Sequence, residues 1–119
     1  MIYFFTGCGK DILDATNKEQ ILKSPGYPTD YANNLDIQWK ICNPYGGKIK
    51  FIVTLDIATG GGDTLSFYDG FTLTGSSDSF SGTQPPFEYV SISSNVLVRF
   101  QTDNNDKTKP GFQLTYRRE

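Results

Sequence analysis

Apolar and polar residues alternate with a period of two over much of this chain. Leu35, Ile37, Trp39 and Ile41 alternate with Asp36, Gln38 and Lys40. Ile49, Phe51, Val53 and Leu55 are interleaved with Lys50, Ile52 and Thr54. Shorter runs repeat the pattern at Leu65-Ser-Phe67, Val90-Ser-Ile92, Val96-Leu-Val98-Arg-Phe100 and Phe112-Gln-Leu114-Thr-Tyr116. Successive side chains of a strand point to opposite faces, so one apolar face per run predicts strands half-buried in an antiparallel sheet. Clusters rich in Gly, Pro, Asn and Asp at residues 43–47, 59–62, 75–77, 85–86 and 103–106 read as the turns between them. Helix evidence is confined to residues 14–22, stopped at once by Ser24-Pro-Gly26, and residues 20–24 read equally well as the lead-in to a strand. The expectation is an all-β fold: an antiparallel β-sandwich, jelly-roll-like, with two sheets of about four to five strands each. In this register Trp39 should be buried between the sheets with Phe51, Phe67, Val98, Phe100 and Phe112.

Composition narrows the chemistry. The 119 residues are one domain's worth, with 37% hydrophobic and 20% charged residues, as in an ordinary globular chain. Eleven Lys+Arg against 13 Asp+Glu give a net charge of −2, so nothing favours a nucleic-acid backbone as partner. There is no His, which removes Ser-His-Asp and Cys-His catalytic sets and imidazole-ligated zinc. The two cysteines, Cys8 and Cys42, are either one disulfide or two thiols. No stretch approaches the ~20 apolar residues of a membrane span, so no membrane insertion is expected. Met1-Ile-Tyr-Phe-Phe5 is too short for a signal peptide's apolar region and has no basic leader. Residues 1–7 are read as a lead-in and residues 8–119 as the domain.

An ordered series of short motifs then resembles the CUB domain over nearly the whole chain. Cys8-Gly9 opens it, Ser24-Pro-Gly-Tyr-Pro28 with Tyr31 resembles the family's Tyr-Pro turn, and Trp39-Lys-Ile41 resembles its Trp strand. Leu55-Asp-Ile57, then Asp63 with Phe67-Tyr-Asp-Gly70, are similar to its central hairpin. Phe80-Ser-Gly82, Ser93-Ser-Asn95, Phe100-Gln-Thr-Asp103 and Gly111-Phe112 to Tyr116 resemble the later landmarks. No one of these is specific; their order and spacing are.

The departures matter. The resemblance implies a second disulfide whose two positions here are Gly60 and Ser81, so both partners are absent together. The first disulfide's usual second Cys falls on Ile37, whereas Cys42 lies five residues further on. Five strand residues span about 16 Å, and an odd shift turns the side chain to the other face. A Cys8–Cys42 bond would therefore need a rearranged N-terminal segment; two reduced cysteines are the alternative.

Many CUB domains bind calcium at one end of the sandwich, and the resemblance carries a ligand set onto this chain: Tyr31, Asp63 and Asp103, with Asp106 nearby. The family's Glu falls on Ala58, and the loop before Asp63 is shortened to Gly60-Gly-Gly62. Asp56 is a stand-in carboxylate if that loop lets it swing in. Calcium wants six to eight oxygens and binds more weakly as ligand charge falls, so a weak site is expected. The plain alternative is that residues 103–106 form a solvated turn. Tyr27 and Tyr31 offer partner anchors or simply pack on the sandwich edge. The glycine run, with no Lys-Ser/Thr and no helix after it, does not make a phosphate loop.

These readings imply a non-enzymatic extracellular module, secreted or at the cell surface with its signal outside this chain, that binds a protein or glycan partner as part of a larger chain or assembly. No Asn-x-Ser/Thr sequon supports secretion independently. The rival reading is a structural or assembly subunit of a larger extracellular or multidomain structure. A carboxylate enzyme built on Asp63 and Asp103 is the third, and would need both groups in a cleft.

Overall fold

The computed structural model describes residues 8–59, 62–104 and 108–119. Among these residues there is no helix, and nine strands pack as two sheets. One sheet has five strands in the order β1 (Ile12–Asp14), β3 (Asp36–Cys42), β8 (Asn95–Gln101), β5 (Thr64–Asp69) and β6 (Ser77–Phe80). The other has four: β2 (Gln20–Lys23), β9 (Gly111–Arg118), β4 (Ile49–Asp56) and β7 (Thr83–Val90). The all-β sandwich expected from the alternation is what forms. All pairings are antiparallel except β1 with β3, which is parallel.

The two apolar faces meet as the alternation requires. Ile41, Leu65, Phe67, Val96, Val98 and Phe100 face Ile49, Phe51, Val53, Leu55, Phe112 and Leu114, and all are buried. Edge-on aromatic pairs tie the layers together, with Phe51 against Phe67 at 5.0 Å and Phe100 against Phe112 at 5.1 Å. Trp39 departs from expectation: it lies on the inward face and meets Phe112 edge-on at 5.8 Å, but stays only half-buried. Its strand has only the three-residue β1 on its outer side, too narrow a flank to cover an indole.

Other local readings change too. The helix candidate at residues 14–22 does not form: Asp14 closes β1, and residues 20–23 form β2 in the other sheet, in keeping with the strand alternative. The hydroxyl of Thr16 takes the Lys18 N–H at 3.2 Å in the turn between them. Pro85 and Pro86 are not a turn but lie inside β7, where Val53 pairs with Phe87 and Leu55 with Gln84. Pro85 and Pro86 there oppose the single residue Thr54 of β4, a bulge on an edge strand, where a residue without an N–H is tolerated. β7 ends at Val90, leaving Ile92 63% exposed, and Ser77 begins a strand rather than closing a turn. Residues 1–7, Gly60 and Asp106 lie outside the described residues, and with Gly60 the expected closeness of Gly60 and Ser81.

Candidate functional site

At one end of the sandwich the loop before β3 and the segment after β8 are stitched together by backbone bonds, and the loop before β5 joins them through the Asp63 side chain. Asn34 N–H donates to the Asp103 carbonyl at 2.9 Å, and Thr102 N–H to the Leu35 carbonyl at 2.9 Å. The Thr102 hydroxyl donates to the Ala32 carbonyl and accepts from Leu35 N–H, both at 2.8 Å. Nothing in the sequence singles out Thr102 for this clip.

Tyr31 and Asp63 sit at the centre, 3% and 2% exposed. The Tyr31 ring stands edge-on to Phe100 at 5.1 Å, and its backbone N–H donates to the Lys109 carbonyl. Its hydroxyl donates to Asp63 Oδ2 at 2.6 Å and accepts from Ala58 N–H at 2.9 Å. The other oxygen, Asp63 Oδ1, accepts from Asp103 N–H at 3.0 Å. Burial, then the bond to Asp63, pushes the Tyr31 phenol far above its ordinary value, and the charges of Asp63 and Asp103 add to this. Tyr31 is therefore a packing and hydrogen-bonding residue, not an exposed anchor; Tyr27 is half-buried.

Gly62 explains how Asp103 reaches this pair. Its φ of +103° suits glycine alone, and a Cβ built there would lie 3.4 Å from Asp103 Oδ2. The Asp103 carboxylate thus rests over bare backbone, one residue from Asp63. The residues brought together are Tyr31, Asp63 and Asp103. Asp56 does not join them: it lies on the outer face of β4, where Thr83 donates to it at 2.7 Å. Ala58, at the family's Glu position, is 5% exposed and contributes its N–H.

This donor set fits a calcium ion of reduced ligand charge. Asp63 is a buried carboxylate bonded by a phenol and an amide, both neutral, and the Asp103 carboxylate lies over the Gly62 backbone beside it in sequence. Asp63 and Asp103 would hold the ion, with carbonyls and water completing the shell. Two surface grooves among the described residues, about 730 and 380 Å³, are lined by other residues, around Trp39 and around Tyr45.

The opposite end carries the cysteines. The structure joins Cys8 to Cys42 with Cα atoms 6.3 Å apart, inside the normal range. The N-terminal segment is rearranged as such a bond requires. Strand β1 runs parallel to β3 with Asp14 opposite Cys42, Asp11 takes a φ of +62°, and Cys8 N–H donates back to Asp14 Oδ1 at 3.0 Å.

The sequence profile of the CUB domain matches residues 8–116. Human tumor necrosis factor-inducible gene 6 protein is 29% identical over 106 residues, covering 85% of this chain and 38% of that protein. Astacin-like metalloendopeptidase of Gallus gallus is 33% identical over 100 residues, covering 80% of this chain and 24% of that protein. The chain thus spans well under half the length of these curated relatives. Among solved structures, the MASP-1 CUB2 domain bound to Ca2+ superposes with a TM-score of 0.68 at 20% identity, covering 92% of this chain and 99% of that one. The full extracellular region of zebrafish Gpr126/Adgrg6 gives a TM-score of 0.68 at 26% identity, covering 92% of this chain and 15% of that one.

Proposed function

The chain belongs to the CUB domain family, and from that membership we propose that residues 8–119 act as a non-enzymatic extracellular module, one unit of a larger chain, that binds a protein partner through the loop end around Asp63. Calcium bound by Asp63 and Asp103 stiffens that end. The observation that carries the reading is the convergence of Tyr31, Asp63 and Asp103 over the Gly62 backbone. Two relatives' contexts support it: one similar chain is an extracellular region, and another was solved bound to Ca2+. The ion would bridge the two loops that bring Asp63 and Asp103 together. Tyr31 orients Asp63, the Asp103 N–H holds its second oxygen, and Thr102 fixes the loop that delivers Asp103.

With two carboxylates and no Glu, the expected dissociation constant is on the order of 10⁻⁴–10⁻³ M. Calorimetry and thermal melts with Ca2+ from 0.1 to 10 mM test it. At tenfold excess over Kd the folded state gains about 1.4 kcal/mol, and the melting temperature should rise with calcium concentration. Asp63→Asn should remove the response. Absence of both heat and shift in the natural chain would sink the calcium part. A partner that binds equally well to Asp63→Asn and wild type would move recognition to another surface.

A further inference from the structure

Outside the loop end, a second cluster of metal-ligating side chains lies at the Cys8–Cys42 bond. Cys42 closes β3 and Asp14 closes β1, and the parallel register sets them opposite each other. Asp14 Oδ1 lies 3.9 Å from Cys42 Sγ and holds the Cys8 N–H at 3.0 Å. The two sulfurs and a carboxylate oxygen lie within 4.8 Å of one another. Cys42 is 2% exposed, while Cys8 is half-buried.

We propose that when a thiol reductant opens this disulfide, Cys8, Asp14 and Cys42 form a binding site for a thiophilic divalent cation of the zinc class. The inference is independent of the calcium reading. In the reduction, a dithiol's thiolate attacks the sulfur of Cys8, the less buried of the two residues, and its second thiol closes on the first. The dithiol leaves as a cyclic disulfide, and its two electrons and two protons end on Cys8 and Cys42. Zinc then displaces both thiol protons to the buffer. Two thiolates and one carboxylate supply three ligands and a charge of −3, and water entering on the Cys8 side takes the fourth place. Zinc bonds of about 2.3 Å to sulfur and 2.0–2.2 Å to oxygen separate tetrahedral ligand atoms by roughly 3.5–3.8 Å; Asp14 Oδ1 and Cys42 Sγ, 3.9 Å apart, already stand near this spacing, and the two sulfurs, once unbonded, must part to it between Cα atoms 6.3 Å apart. Asp14 decides the character of the site. Its carboxylate supplies the one oxygen ligand beside the two sulfurs.

The test uses the whole chain, reduced with dithiothreitol and freed of it by anaerobic gel filtration. Co2+ alone is the spectroscopic probe, and Zn2+ is titrated against a chromophoric chelator. A thiolate-to-cobalt absorption band at one metal per chain is expected, displaced by zinc and absent from the oxidised protein. Asp14→Asn, which keeps the disulfide, should weaken zinc at least tenfold after reduction, and Cys42→Ser at least a hundredfold. If the reduced chain loses its fold, circular dichroism with and without zinc replaces the titration, and zinc should restore the sheet signal. The proposal is overturned by no thiolate band in the folded reduced chain, by one metal per two chains, by Asp14→Asn binding as wild type, or by a reduced unfolded chain that zinc does not refold.

Discussion

Replacing Tyr31 by Phe removes one oxygen and breaks two buried bonds. The ring keeps its edge-on contact with Phe100, so packing is nearly unchanged. Asp63 Oδ2 loses a 2.6 Å bond from the phenol, and Ala58 N–H loses its acceptor at 2.9 Å. A hydrogen bond to a charged group contributes about 1.5–3 kcal/mol, and a buried amide left unpaired costs about 1–3 kcal/mol. The two losses share one oxygen and are not additive, so the expected destabilisation is about 3 kcal/mol, or a fall in melting temperature of roughly 10–15 °C for a domain of this size. Urea melts followed by Trp39 fluorescence should show a lower midpoint with an unchanged slope. The variant also has a pH signature. Folding raises the Tyr31 pKa, so the stability this provides is full below the ordinary phenol value of about 10 and lost as pH rises past it. Burial raises Tyr89 and Tyr116 in the same direction, so wild type should weaken steeply above about pH 10, and Tyr31→Phe should weaken less steeply. A loss below about 1 kcal/mol at neutral pH, where one lost neutral bond alone would stand, or an alkaline slope equal to wild type, would refute the assignment of Tyr31 as the buried donor to Asp63.

Three other perturbations probe the frame. Trp39→Ala should cost about 2–3 kcal/mol, less than the 3–5 typical of a fully buried aromatic, because the indole is half-exposed; its native emission should lie between buried and fully hydrated limits. Gly111→Ala should destabilise severely, since φ is +106° and a Cβ would collide with Ser24 Oγ, which itself takes the Phe112 N–H; adding Ser24→Gly should recover only the steric share. Arg99→Met should cost less than about 1 kcal/mol, because its paired bonds to Asp36 lie at the surface; the difference should shrink in high salt, and as pH falls through the Asp36 titration, which Arg99 holds below the usual carboxylate range.

What the sequence made legible follows from how far each signal reaches. Strands β3, β4, β8 and β9 are long enough for period-two alternation to fix both the element and its buried face, and 49, 51, 53 and 55 are all buried. β6 is four residues, Ser-Asp-Ser-Phe, with one apolar position and so no period to detect. Pro85 and Pro86 read as a turn because both lack an N–H, but an edge strand leaves one side of its ladder unpaired and a bulge absorbs the rest. Asp63 and Tyr31 were legible only through resemblance: one Asp before a strand and one Tyr after a proline carry no spacing of their own. Gly62 was visible as part of a flexible run, yet its use is a specific φ and a close approach by Asp103 forty-one residues away, which local composition does not encode.

The cysteines show the same limit from the other side. Along β3, Cys42 lies about 16 Å, and one face, away from the position where the family's second Cys usually stands. That arithmetic holds for β3, but the partner strand is free to slide. Because β1 runs parallel to β3, its end rather than its start meets Cys42, with Asp14 opposite. The chain then needs a reversal to return Cys8 to the same place, supplied by the left-handed φ of Asp11 and the bond from Cys8 N–H to Asp14. A three-residue parallel strand has too few positions for a period, and a turn built on Asp rather than Gly has no composition signal. The carboxylate that locks this reversal is the one that would become a metal ligand on reduction. Asp14→Asn therefore separates its two roles: the side-chain oxygen can still accept from Cys8 N–H and keep the turn, while the charge that zinc requires is gone.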